Sequence, residues 1–217
     1  MRILKGYSMK PNKVLIVSKP RFGSTVFCKE MGNLTQTPYY SEPNLSDVEH
    51  LKILNKTQNF GIKIIAADLK QWEDTKEILF GFDWDLIILL RRNEQDAKLS
   101  LSHIDYIDNS FQSDNMKISW TTGYKQNPNI KIPKWMDGTY DSGERIYQEI
   151  LGMNKNTIEL TYENLYNEDR SIREQELNKV VDMDKIHWLI KKNVLDKLDP
   201  SNKYTNLPPL IVKKSLI

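Results

Sequence analysis

Hydrophobic positions in this chain fall into short continuous runs, each followed by a stretch of mixed polarity with helical spacing. Val14-Leu15-Ile16-Val17, Ile62-Lys63-Ile64-Ile65 and Leu86-Ile87-Ile88-Leu89-Leu90 are such runs. Their length and β-branched content predict strands over 13–18, 61–67 and 85–90, buried on both faces as in a parallel sheet. A fourth strand is expected over Thr157-Ile158-Glu159-Leu160-Thr161. Between them the pattern predicts a helix over about 24–32, ending at Gly32-Asn33, and a short helix opened by Ser46-Asp47-Val48-Glu49. A polar helix or turn is expected over about 68–80 and further helices over about 94–111 and 144–151, with 163–198 largely helical. Thr35 to Pro43 reads as loop because two prolines bracket it, and Thr121 to Gly143 as the longest irregular region. The fold class is α/β: three layers, α/β/α, around a central parallel sheet. The 217 residues form one domain (1–217), with a core over about 13–165 and a helical C-terminal part over about 166–217.

Composition narrows the partners. Thirty-one Lys and Arg against 29 Asp and Glu leave a net charge of +2, so no broad basic field argues for nucleic acid. One cysteine, Cys28, excludes a disulfide framework or a cysteine metal cluster. No run approaches the roughly 18 apolar residues of a membrane span, and no signal-peptide pattern opens the chain. A cytoplasmic protein is the expectation. The abundance of Lys, Asn and Ile fits an AT-rich microbial or viral genome.

Chemistry concentrates where the first strand ends. Ser18-Lys19-Pro20-Arg21-Phe22-Gly23-Ser24-Thr25 places two cations, a glycine and hydroxyls between a strand and a helix N-terminus. Backbone N–H groups and the helix dipole there suit a phosphate. A Walker loop is absent, because no lysine stands between Gly23 and the hydroxyl residues. A dinucleotide fingerprint is absent because the loop holds a single glycine.

The loop Pro20-Arg21-Phe22-Gly23-Ser24-Thr25 resembles the 5′-phosphosulfate loop of sulfotransferases that use 3′-phosphoadenosine-5′-phosphosulfate (PAPS), whose pattern is Pro-[Lys/Arg]-Ser-Gly-[Ser/Thr]-Thr. Phe22 departs from it, replacing a small polar residue. A second segment agrees in register. Arg92, Asn93, Asp96 and Ser100 match the family's Arg-Asn-x-x-Asp-x-x-x-Ser element after the third strand, whose Arg and Ser hold the donor's 3′-phosphate. Serine stands eight positions, about two helical turns, beyond arginine on the same helix face. Leu160-Thr161-Tyr162-Glu163-Asn164-Leu165 is similar to the family's strand-to-helix corner, where Tyr162 and Leu165 are expected to pack and Glu163 to be structural.

The resemblance implies a P-loop-like sulfotransferase fold that binds PAPS as donor and releases 3′-phosphoadenosine-5′-phosphate (PAP), with no metal expected. Phe22, Gly23, Ser24 and Thr25 would cradle the 5′ end, Arg21 would stabilise the bridging oxygen, and Arg92 and Ser100 would take the 3′-phosphate. Glu42, in Tyr40-Ser41-Glu42-Pro43, stands where carbohydrate and tyrosylprotein sulfotransferases carry a glutamate. It is the candidate base, expected to be extended before proline and partly buried. The acceptor is a hydroxyl or amine, with carbohydrate or lipid favoured over a phenol. Lys63, inside an apolar strand, requires an anion or must snorkel to water. His103, the stretch Ser201-Asn202-Lys203-Tyr204, Trp120 and Trp135 are further candidates, with core burial expected of both tryptophans. Oligomeric state is not legible. The alternatives are a kinase-like phosphoryl transferase, in which Asp68 would serve a magnesium ion, and a non-catalytic nucleotide-binding relative.

Overall fold

In the computed structural model, which describes residues 11–110, 131–153, 155–167 and 172–185, the first apolar run is strand β1 (Lys13–Ser18). It lies at the centre of a five-stranded sheet. Around it stand β2 (Tyr39–Ser41), β3 (Phe60–Ile65), β4 (Leu86–Arg91) and β5 (Thr157–Thr161), in the order β2-β3-β1-β4-β5. Every pairing is parallel. Alternate residues of β1 face opposite layers, as strand geometry requires. Val14 and Ile16 join one apolar cluster, Leu15 and Val17 the other. Because both faces are covered, the strand is apolar throughout instead of alternating.

Helix α1 (Ser24–Thr35) lays Phe27, Cys28, Met31 and Leu34 on the first face. Helices α2 (Val48–Lys56) and α3 (Leu69–Phe80) cover the second through Leu54, Trp72 and Leu79. Each fully buried Leu or Phe of this kind contributes about 1.5–3 kcal/mol. Helix α3 starts at Asp68, whose Oδ1 accepts from the N–H groups of Lys70 and Gln71. Helix α2 is opened by Asp47, not Ser46, because Asp47 Oδ1 takes the Glu49 N–H at 3.0 Å. Helix α4 (Glu94–Ser110) follows β4.

Two of the stretches expected to be irregular require correction. The stretch 35–43 contains strand β2, whose three residues pair with β3 from Tyr39 opposite Gly61 to Ser41 opposite Lys63. The Tyr39 ring lies over Gly61, where an added Cβ would stand 2.1 Å from it. The part of 121–143 from Trp135 onward is helix α5 (Trp135–Gly152), not irregular chain. Its buried positions Met136, Tyr140, Gly143, Tyr147 and Ile150 recur at helical spacing. Its first half joins the α1 side of the core and its second half the other side. Gly143 permits that crossing, since a Cβ would meet the Ala66 carbonyl at 2.5 Å and the Lys19 stem at 2.9 Å.

After β5 come α6 (Tyr162–Leu165), α7 (Glu174–Leu177) and a 3₁₀ turn at Met183–Lys185. The described residues between 163 and 185 are therefore less helical than expected. Trp135 is 55% exposed and not a core residue. Among the described residues no helix is long and apolar enough to cross a membrane. Trp120 and Ser201 to Tyr204 lie outside the described residues, as does the side chain of His103.

Candidate functional site

The turn between β1 and α1 leaves the sheet at its carboxyl end, where open α/β sheets place their ligands. Two of its residues hold left-handed backbone, Arg21 at φ 64° and Gly23 at φ 82°. Gly23 is also the N-cap of α1, and no side chain caps the helix there. Its carbonyl accepts from Val26 and Phe27. The first N–H groups of α1, on Ser24 and Thr25, have no carbonyl one turn back within the helix. The first turn also holds no acidic residue. The positive end of the α1 dipole is thus left to an outside anion.

The burial of Phe22 accounts for an apolar residue in this turn. This residue is 3% exposed and belongs to the α1 side of the core, with its ring 6.0 Å from that of Tyr140. An apolar side chain fixes the turn from below, so Phe22 can offer a ligand only backbone. Ser24 is buried too, and its Oγ accepts from Ser18 Oγ at 2.6 Å. Its oxygen thus faces Ser18 across the loop. Thr25 is exposed.

The structure brings the second motif onto the first. Arg21 Nε donates to Ser100 Oγ at 3.1 Å, and Arg92 Nη1 donates to the Arg21 carbonyl at 2.7 Å. The Arg92 guanidinium lies 4.5 Å from the Tyr162 ring centroid, a cation–π contact. Tyr162 in turn packs against Gly23, where an added Cβ would meet its ring at 2.7 Å. Arg92 Nε is buried without a hydrogen-bond partner. A buried donor without an acceptor costs about 1–3 kcal/mol, and an incoming acceptor would relieve that cost. Asn93 caps α4, with its Oδ1 accepting from Asp96 N at 3.1 Å. Asn93 N donates to Glu163 Oε1 at 2.9 Å, which ties the Tyr162-Glu163 corner to the same place.

Glu42 stands at the end of β2, and its N–H extends the ladder to the Lys63 carbonyl at 2.7 Å. Neither expected property holds. Glu42 is not extended but left-handed at φ 51°, and its side chain is 56% exposed. Its carboxylate meets Lys63, whose side chain is only 2% exposed. The Lys63 ammonium also donates to Thr25 Oγ1 and Ser41 Oγ, each at 3.3 Å. The buried lysine therefore has its anion and does not snorkel. Arg21, Gln36 and Glu42 are the non-glycine residues with positive φ among the described residues. Gln36 is the ordinary left-handed C-cap of α1. The other two are the residues given catalytic roles, and strained backbone gathers at functional sites.

Sequence reasoning missed the support beneath the loop. Lys19 is buried, and its Nζ pairs with Glu94 at 3.2 Å and Glu144 at 3.0 Å. Arg91 pairs with Glu144 and Glu159 and stacks 4.6 Å from the Tyr147 ring centroid. Burial alone would raise the Glu144 carboxyl. Hydrogen bonds from Arg91, Gln148 and Lys19 outweigh it and hold the group down at about 2. Tyr147 accepts from Lys19 N at 3.1 Å and donates to the Leu90 carbonyl at 2.6 Å, while Tyr140 donates to the Pro20 carbonyl at 2.9 Å. Helix α5 thereby clamps the ends of β1 and β4. The spacing of Tyr140 and Tyr147, two helical turns apart, was the available signal.

Neither a family model nor a curated protein sequence matches the chain. Among solved structures, the deoxyadenosine kinase from M. mycoides with bound dATP is similar. The likeness covers 70% of this chain and 91% of that one, at 13% identity and a TM-score of 0.38. At that level the likeness carries no argument.

Proposed function

We propose that the protein is a sulfotransferase that moves a sulfuryl group from PAPS to a hydroxyl or amine acceptor. The observation that supports this reading is the joining of the β1 loop to the Arg92–Ser100 segment through the Arg92–Arg21 and Arg21–Ser100 bonds. A donor with a charged group at its 5′ end and another at its 3′ position has both ends met. The 5′ end would seat on the N–H groups of Phe22, Gly23, Ser24 and Thr25. The 3′-phosphate would lie at Arg92, whose guanidinium can pair two oxygens at once, and Ser100.

In the step itself, the acceptor oxygen attacks sulfur and forms the new S–O bond. The bond from sulfur to the bridging oxygen breaks, and its electron pair leaves on the 5′-phosphate of PAP. The acceptor proton passes to the Glu42 carboxylate. Arg21, charged at any relevant pH, stabilises the negative charge that develops on the bridging oxygen. Like phosphoryl transfer, such a reaction asks the protein for position and electrostatics more than covalent chemistry. The exposed rim at Glu42 leaves room for a carbohydrate or lipid hydroxyl, and we place the reaction in the cytoplasm.

Asp68, the residue a magnesium-dependent phosphoryl transferase would need, turns its Oδ1 to the Lys70 and Gln71 N–H groups as the cap of α3. The deciding experiment offers PAPS without added metal, and ATP with magnesium, to a panel of sugar, lipid and phenol acceptors. PAP release with sulfated product supports the reading. Turnover of ATP alone overturns it.

A further inference from the structure

We propose that Lys63 makes the candidate base answer to the donor: Glu42 is held by the Lys63 ammonium until an anion on the α1 N-terminus takes its place. This rests on the sulfotransferase reading of the same site. Lys63 reaches both the anion loop, through Thr25, and Glu42. An ammonium has three N–H donors, and all three are used, on Thr25 Oγ1, Ser41 Oγ and the Glu42 carboxylate. The side chain is almost wholly buried, so it must keep an anionic partner. Glu42 supplies that partner from the solvent side, at the mouth of the site.

An anion seated on the Ser24 and Thr25 N–H groups stands beside Thr25 Oγ1, within the reach of the same ammonium. Its charge satisfies Lys63, and the partner given up is the one best able to leave. Ser41 and Thr25 hydroxyls are fixed by strand and helix, whereas the Glu42 carboxylate has water next to it. Freed from its ion pair, Glu42 turns to the acceptor and takes its proton. Donor therefore precedes acceptor activation, and the base is engaged with Lys63 whenever the loop is empty.

The test is the affinity of PAP and of AMP, by calorimetry, for the wild type, E42Q, K63M and the double variant E42Q/K63M. If Glu42 competes with the nucleotide's 5′-phosphate for Lys63, E42Q tightens both ligands, on the order of fivefold, by removing the competitor. In the K63M background the same substitution changes nothing. As a control, E49Q, which removes the same charge from exposed α2, leaves affinity unchanged. An E42Q protein that binds no tighter, a gain that persists without Lys63, or no binding to any variant overturns the proposal. The E42Q and E49Q arms still decide if K63M does not fold. Tightening of PAP and AMP alike, with no preference between them, sustains the coupling and sinks the donor assignment. A preference for PAP with no gain in E42Q does the reverse.

Discussion

Arg92 Nη1 donates to the backbone carbonyl of Arg21 across 2.7 Å, joining residues 71 positions apart in the chain. Neither element holds the other by burial alone. The bond fixes the left-handed Arg21 to the carboxyl end of β4, while Arg21 Nε returns a bond to Ser100 one helix further on. The two loops can hardly move independently, so a ligand gripping one reports to the other.

Gly23 is required by both backbone and space. An alanine there would take φ 82° at a cost of about 1–2 kcal/mol. It would also press its Cβ to 2.7 Å from the Tyr162 ring. G23A should lose about 1–3 kcal/mol of stability in urea unfolding, together with most of its PAP affinity, because the ring that carries Arg92 is displaced. Wild-type affinity in G23A would contradict the placement of Tyr162.

Phe22 is a packing residue in a binding loop. F22S introduces a small polar residue yet empties a core site, so it should destabilise by about 3–5 kcal/mol. Donor affinity should fall with it, measured below the melting temperature. A stable F22S protein with improved affinity would show that Phe22 impairs the loop rather than supporting it.

Glu42→Gln should reduce turnover by about 10²-fold or more, the usual worth of a general base. PAP should still bind. Loss of PAP binding in E42Q would make Glu42 a structural partner of Lys63 and leave the base unassigned.

Glu30 gives a pH signature from the buried face of α1. Burial pushes its carboxyl up from the ordinary 4.5 to about 8, against the hydrogen bond that Tyr166 donates at 2.7 Å. The folded protein thus keeps a proton that the unfolded chain gives up near pH 4.5, and stability falls as pH rises from about 4.5 to 8. E30Q removes this dependence, so its melting temperature should gain on the wild type steadily across that window. Parallel curves would contradict the assignment.

How far the sequence carried these conclusions depends on the kind of interaction. β1, β3 and β4 were legible because burial on both faces writes a continuous apolar run. β2 was not, since three residues beside two prolines acquire their strand character from pairing with β3. Helix α5 hid behind Gly138, Gly143 and a polar outer face, though its inward positions keep helical spacing. At the candidate site, Arg92 and Ser100 stood out by their spacing and Arg21 by its place in the loop, but the bonds that join the two segments did not. Lys63 could be singled out as a lysine in an apolar strand, but its partner could not. The pairing of Lys19 with Glu144 joins segments far apart in the chain, which no local pattern encodes. The inward turn of Ser24 likewise depends on Ser18 across the loop.

The central claim is that the β1 loop and the Arg92–Ser100 segment form one site for a donor with two charged ends. It is tested most directly by the ratio of PAP to AMP affinity in the wild type and in R92A/S100A. The two ligands differ only in the 3′-phosphate, and a hydrogen bond to a charged group is worth about 1.5–3 kcal/mol. The wild type should prefer PAP by at least about tenfold, and the double variant should bind both ligands alike. An equal affinity in the wild type, or a preference that survives in R92A/S100A, would contradict the account.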